Sequence, residues 1–221
     1  MQTNKPERLI AIGDIHGDIA KLNSLLDKLN LTKDDTVVFL GDYIDRGENS
    51  KEVIERLLRL SKETNCIFLM GNHEEMLLKC VRTKNENDMA VWFMEGGLAT
   101  YNSYGNVDEI FKLHKDFFKQ LRTYYLTEDY LFVHAGIRPD KTLEEQEKFD
   151  MLWIRDNFIY AKHKLKQKVI FGHTGFYSPY VENDKIGINT GCGTDDDGYL
   201  TAIICGKNEE FITSDNPNPN S

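Results

Sequence analysis

Short apolar runs recur along the chain, and five of them end in a compact polar motif. Residues 9–12 lead into Gly13-Asp14-Ile15-His16-Gly17, residues 37–40 into Gly41-Asp42-Tyr43-Ile44-Asp45-Arg46-Gly47, and residues 66–70 into Gly71-Asn72-His73-Glu74. Residues 130–133 lead into His134-Ala135-Gly136, and residues 169–171 into Gly172-His173-Thr174. Runs of this length and composition predict buried strands. Between the first two, Ile19, Leu22, Leu25, Leu26 and Leu29 recur at helical spacing behind Asp18, a good N-cap. Val53, Ile54, Leu57 and Leu58 do the same behind Asn49 and Ser50. The resulting βαβαβ rhythm predicts a parallel sheet.

Residues 74–127 read as mostly helical and aromatic-rich, broken at Gly96-Gly97 and Gly105, with Trp92 and its aromatic neighbours expected in the core. The remainder reads as strands over 185–189, 199–205 and 210–213, with Asp197-Gly198 as a hairpin turn. This predicts one catalytic domain over residues 1–213 and a disordered Asn/Pro/Ser-rich tail over 214–221. His114 and His163 match no motif and are expected at the surface. Asp195-Asp196-Asp197 fits a solvated loop better than a calcium loop, because the flanking positions lack the required carboxylates.

Composition narrows the function classes. The 221 residues carry a formal net charge of −9, which argues against broad binding to nucleic acid or to an anionic membrane. No run is long and apolar enough for a membrane span, and no secretory h-region is present. Cys66, Cys80, Cys192 and Cys205 lack metal-binding spacing and read as reduced thiols of a cytoplasmic protein.

In open α/β sheets ligands bind beyond the carboxyl ends of strands, so the five motifs are expected around one crevice. Asp14 and His16 point the same way and can reach one cation. Asp42 can bridge that cation to a second one held by Asn72, His134 and His173. Two divalent ions against Asp14, Asp42 and a bridging hydroxide leave the site at about +1, suited to a phosphate. Arg46 can clamp phosphate oxygens, and Arg155 is the preferred second clamp, ahead of Arg138. His73, beside Asn72, is placed to protonate a leaving group, with Asp45 orienting its ring.

Taken jointly, GDxHG, GDxxDRG, GNHE, HxG and GH resemble the phosphoprotein phosphatase family of metallophosphoesterases, over about residues 8–205. The resemblance implies a calcineurin-like α/β fold, a four-layer sandwich of two mixed sheets flanked by helices, with a dinuclear centre. It implies one metal on Asp14, His16 and Asp42, and another on Asp42, Asn72, His134 and His173. It likewise implies His73 with Asp45 as the acid pair, and Arg46 and Arg155 on the phosphate. Manganese is the usual activating ion of bacterial members, and the ligands also suit iron or zinc.

His134-Ala135-Gly136 replaces the His-Gly-Gly of eukaryotic members, and no SAPNY-like segment is present, so the chain resembles bacterial or phage-type serine/threonine phosphatases. Asp45-Arg46 and Glu74 favour a phosphorylated protein or peptide, or a small phosphate ester, as substrate. Symmetrical dinucleoside-tetraphosphate hydrolysis or cleavage of RNA-end phosphates is the alternative on the same site. A non-catalytic phosphate-binding module is the remote one, since every ligand and acid position is filled.

Overall fold

The computed structural model describes residues 7–215. Strands β1 (Leu9–Ile12), β2 (Thr36–Phe39) and β3 (Asn65–Phe68) run parallel, joined by helices α1 (Ile19–Leu29) and α2 (Ser50–Leu60). Asp18 caps α1 by accepting a hydrogen bond from the Lys21 amide. Asn49 precedes α2 without a side-chain cap bond, and Ser50 is turned inward, its hydroxyl accepting from the Asp45 amide.

The middle of the chain is a helical lobe. It comprises α3 (Asn72–Thr83), α4 (Glu86–Trp92), a π-helical turn at Phe93–Gly97, α5 (Leu98–Tyr104) and α6 (Val107–Gln120). The expected break falls at Gly96, whose φ of 99° suits only glycine, and α5 ends at Gly105. Beyond the lobe lie β4 (Tyr124–Leu126), β5 (Tyr130–Val133), α7 (Lys148–Trp153), α8 (Asp156–Ile159) and β6 (Lys168–Phe171). The chain closes with β7 (Tyr180–Val181), β8 (Lys185–Gly187), β9 (Thr201–Cys205) and β10 (Glu210–Thr213).

Two mixed five-stranded sheets result, ordered β10-β9-β1-β2-β3 and β4-β5-β6-β8-β7. Strand alternation explains how they stack. Ala11, Val38, Ile67 and Ile203 of the first sheet meet Phe132, Ile170 and Ile186 of the second in one buried layer. The alternate residues Ile10, Ile12, Val37 and Phe39 face α1 and α2, while Leu131, Val133, Val169 and Phe171 face α7 and α8. The architecture is therefore the expected helix–sheet–sheet–helix sandwich. No helix among the described residues is long and apolar enough to cross a membrane.

Several local expectations need correction. Asp197-Gly198 does not close a hairpin: β8 and β9 belong to different sheets, and the segment between them crosses from one sheet to the other. His114 is buried, and His163 is half-buried with its side chain almost wholly covered, so neither is superficial. His114 Nδ1 lies 2.6 Å from the Tyr104 hydroxyl, and His163 stacks on Phe158 while donating from Nε2 to the Asp184 carbonyl. Each imidazole packs its apolar body and meets one polar partner. Within the tail expected to be disordered, Ser214 is buried against Leu200 and Asp215 pairs with Lys28; residues 216–221 lie outside the described residues.

Candidate metal centre and active site

The five motifs converge where the two sheets meet. Asp14, His16, Asp42 and Asn72 follow strands of the first sheet, and His134 and His173 follow β5 and β6 of the second. All six are buried. His16, Asp42 and His173 adopt left-handed backbone, with φ of 48°, 51° and 58°, as do Asp45 and Arg46 at 72° and 69°. Non-glycine residues pay a steric penalty there, and such conformations gather at functional sites. Glu74 fixes the second motif from beneath by accepting from the amides of Asp42, Tyr43 and Gly71, each at 2.9 Å. Burial and the nearby Asp42 push its carboxyl up to about 8, against amide donors that favour the ionised form. Gly71 is required because a Cβ there would run into the Asp42 carboxylate.

Ring-nitrogen chemistry defines what the pocket can hold. His16 and His134 each present Nδ1 to a main-chain carbonyl, Ile44 at 3.0 Å and Leu40 at 2.9 Å. A carbonyl only accepts, so Nδ1 carries the proton and Nε2 presents a lone pair. These lone pairs face Asp42 Oδ2 at 3.6 Å and 3.4 Å. His134 Nε2 also lies 2.9 Å from Asn72 Oδ1, which His173 Nδ1 approaches at the same distance. Buried His173 Nε2 has no hydrogen-bond partner among the described residues. Two groups of ligand atoms therefore form, His16–Asp42–His73 and Asp42–His134–His173, each within 4.8 Å and both sharing Asp42.

The titration behaviour points the same way. Burial lowers the pKa of His134 and His173, and that of His16 to about 3, so all three rings can offer neutral donor nitrogens near neutral pH. Burial would raise Asp42, but the four surrounding imidazoles outweigh it and hold the carboxylate below its usual range. Burial and the Asp42 charge push Asp14 well above its own. Convergent lone pairs, an orphaned buried nitrogen and two buried carboxylates fit divalent cations. Asp14 belongs to neither group: its oxygens accept from the His173 amide at 3.0 and 3.2 Å, and Oδ2 accepts from Asn189 Nδ2 at 2.8 Å.

His73 differs from the other rings. Its Nδ1 donates to Asp45 Oδ2 at 2.8 Å, while Nε2 faces the site with Arg46 Nη2 3.3 Å away. Burial works to lower its pKa, yet Asp42 and the Asp45 bond prevail and raise it to about 9. Arg46 is exposed and reaches His16 Nε2 at 3.0 Å and Thr194 Oγ1 at 2.8 Å. Arg155, also exposed, donates to the His173 carbonyl at 3.3 Å and so sits at the rim. Arg138 instead pairs with Asp140 at 3.7 Å.

Residues 7–207 match the family model of the calcineurin-like phosphoesterases. The chain belongs to that family. As a calcineurin-like phosphoesterase it is a metal-dependent hydrolytic enzyme, and the match together with relatives named serine/threonine-protein phosphatase 2 supports the phosphoprotein phosphatase reading of its motifs. It is 30% identical to serine/threonine-protein phosphatase 2 of Salmonella typhimurium over 73% of this chain and 77% of that protein. It is 27% identical to the asymmetrical bis(5'-nucleosyl)-tetraphosphatase PrpE of Oceanobacillus iheyensis, over 82% of each chain. A crystal structure of a protein provisionally assigned as a diadenosine tetraphosphatase superposes with a TM-score of 0.72 at 22% identity, covering 96% of both chains.

Motif reading missed four residues around the phosphoesterase centre. Asn189 on Asp14 follows β8, and Thr194 on Arg46 lies in the crossover to β9. Trp92 and Thr100 on Asp45 come from the helical lobe. Trp92 is fully buried, as its aromatic pattern predicts, but nothing in the local sequence marks its indole N–H as a partner for Asp45.

Proposed function

We propose that this phosphoesterase is a phosphomonoesterase acting on phosphoserine or phosphothreonine in proteins and peptides. The observation that carries this reading is the buried His73–Asp45 pair. An alkoxide leaving group is a far stronger base than a nucleotide phosphate, whose second pKa is about 6. Only the former needs a protonated imidazole at the point of bond cleavage. Asp45 keeps Nδ1 protonated and turns Nε2 to the site, where its proton passes to the departing oxygen as the P–O bond breaks. Water supplies the oxygen that remains on phosphorus. Arg46, Arg155 and the Asn72 amide are assigned to the phosphate oxygens.

Two divalent cations are assigned to the centre, one on Asp14, His16 and Asp42 and one on Asp42, Asn72, His134 and His173. Manganese is the first choice, with iron or zinc compatible with the same atoms. When bound, such ions polarise the phosphate and acidify water towards neutral pKa. The four free thiols suit a reducing compartment, the cytoplasm.

A second reading is dinucleoside-tetraphosphate hydrolysis, supported by the name of the Oceanobacillus relative. Turnover of a phosphothreonine peptide and of diadenosine tetraphosphate, by manganese-loaded protein at equal concentrations, separates the two. The peptide is expected to give the higher kcat/KM. A strong preference for the nucleotide overturns the protein-phosphatase reading.

A further inference from the structure

The acid pair depends on atoms outside all five motifs. Asp45 is a fully buried carboxylate on strained backbone. Its Oδ2 accepts from His73 Nδ1 and from Trp92 Nε1, both at 2.8 Å. Its Oδ1 accepts from Thr100 Oγ1 at 2.6 Å, and the same hydroxyl oxygen accepts from the Asp45 amide at 2.8 Å. Trp92 ends α4, Thr100 lies in α5, and both side chains are fully buried. A Cβ on Gly97 would run into the indole, so the bare π-helical turn is what lets the ring lie where its N–H reaches Asp45. The Ser50 hydroxyl, 2.9 Å from Thr100 Oγ1, completes the network.

We infer that Trp92 and Thr100 are positioning residues for phosphate-ester cleavage: they aim the Asp45 carboxylate so that it holds the His73 ring with Nε2 towards the leaving group. Three donors from three directions leave Asp45 one orientation, and buried polar networks of this kind are rigid when every member is satisfied. Without the indole N–H or the hydroxyl, the carboxylate turns about its side-chain bonds to recover a partner, and the ring follows it. The helical lobe thereby completes the acid. This inference rests on the general-acid role proposed for His73.

Trp92→Phe removes the N–H and keeps the ring; Thr100→Val removes the hydroxyl and keeps the volume. Each is expected to lower kcat on a phosphothreonine peptide on the order of tenfold, a part of the roughly hundredfold or more that a general acid supplies. KM, bound manganese and turnover of p-nitrophenyl phosphate should stay within about threefold, because a nitrophenolate leaves with little protonation. Thr100→Ser should restore the peptide rate. In a His73→Asn background neither change should cost more. Equal loss on both esters, or full additivity with His73→Asn, overturns the inference.

A second measurement does not require turnover. The His73 ring N–H resonance, identified by its loss in His73→Asn, should shift in Trp92→Phe and in Thr100→Val. An unmoved resonance overturns positioning even if the enzyme proves inactive on both esters. Inactivity of the unaltered protein on both esters would instead defeat the proposed phosphomonoesterase function.

Discussion

At the scale of single residues, left-handed backbone is concentrated at the centre. His16, Asp42, Asp45, Arg46 and His173 each occupy a region costing about 1–2 kcal/mol for a side chain with a Cβ. Bonds to the same loops offset the strain, as Glu74 does for the second motif. Away from the centre, Asp35 shows what an unstrained buried carboxylate contributes. It accepts from Arg8 at 2.6 and 2.8 Å and from the Thr32 amide at 2.7 Å. Burial would raise its pKa, but these partners prevail and hold it at about 2. A folded pKa below the unfolded value of about 3.9 stabilises fully above that value and loses the contribution as pH falls towards 2. Asp35→Asn is therefore expected to lower stability by about 2 kcal/mol near neutral pH, with the two proteins converging in acid. Urea unfolding across that range is the check, and a gap that persists at about pH 2 would contradict it. Motif spacing made all six ligand candidates and the acid pair legible, because polar residues behind buried strands have few other uses. Trp92 and Thr100 were not legible, since an indole in an apolar helix looks the same whether or not its N–H has a partner.

At the scale of elements, legibility followed length and periodicity. β1, β5 and β10 fall where the strand-like runs predict, and α1 begins at the expected cap. Asp18→Ala should cost about 1 kcal/mol by removing the bond to the Lys21 amide. A lowered urea midpoint at unchanged slope would show it, and an unchanged midpoint would mean that water takes over the freed Lys21 amide. β4 and β7, of three and two residues, were missed because edge strands so short carry no period. The misread hairpin has a physical cause as well. Asp-Gly favours a tight turn whatever follows it, and here the turn lies within a crossover between sheets. Local turn chemistry cannot show which sheet the next strand will join.

At the scale of the whole molecule, the parallel start was predictable from βαβ alternation, but the pairing of two mixed sheets was not. It entered through family resemblance, because inter-sheet contacts such as Ala11 and Val38 with Phe132 and Ile170 join distant parts of the chain. The centre sits on that same seam, so its cations should stabilise the entire fold. At a hundredfold excess over Kd, a ligand of the folded state adds about 2.7 kcal/mol, or roughly 5–10 °C for a chain of this size. Manganese should raise Tm by that order and a chelator should reverse it. His134→Ala should lose most of the rise, and an equal rise in that variant would place the stabilising ion elsewhere.

The bond from the His173 amide to Asp14 spans 159 residues and joins the motif after β1 of one sheet to the motif after β6 of the other. Its consequence concerns synthesis. A ribosome delivers Asp14, His16, Asp42 and Asn72 early, on a sheet that still lacks β9 and β10, and delivers His134 and His173 only 62 and 101 residues after Asn72. The first half holds Asp14, His16 and Asp42 but lacks His134 and His173, so an emerging fragment carries only part of the centre. Competence arrives in one late step, and until then the aspartates and histidines of the first half stand ready with nothing to close upon.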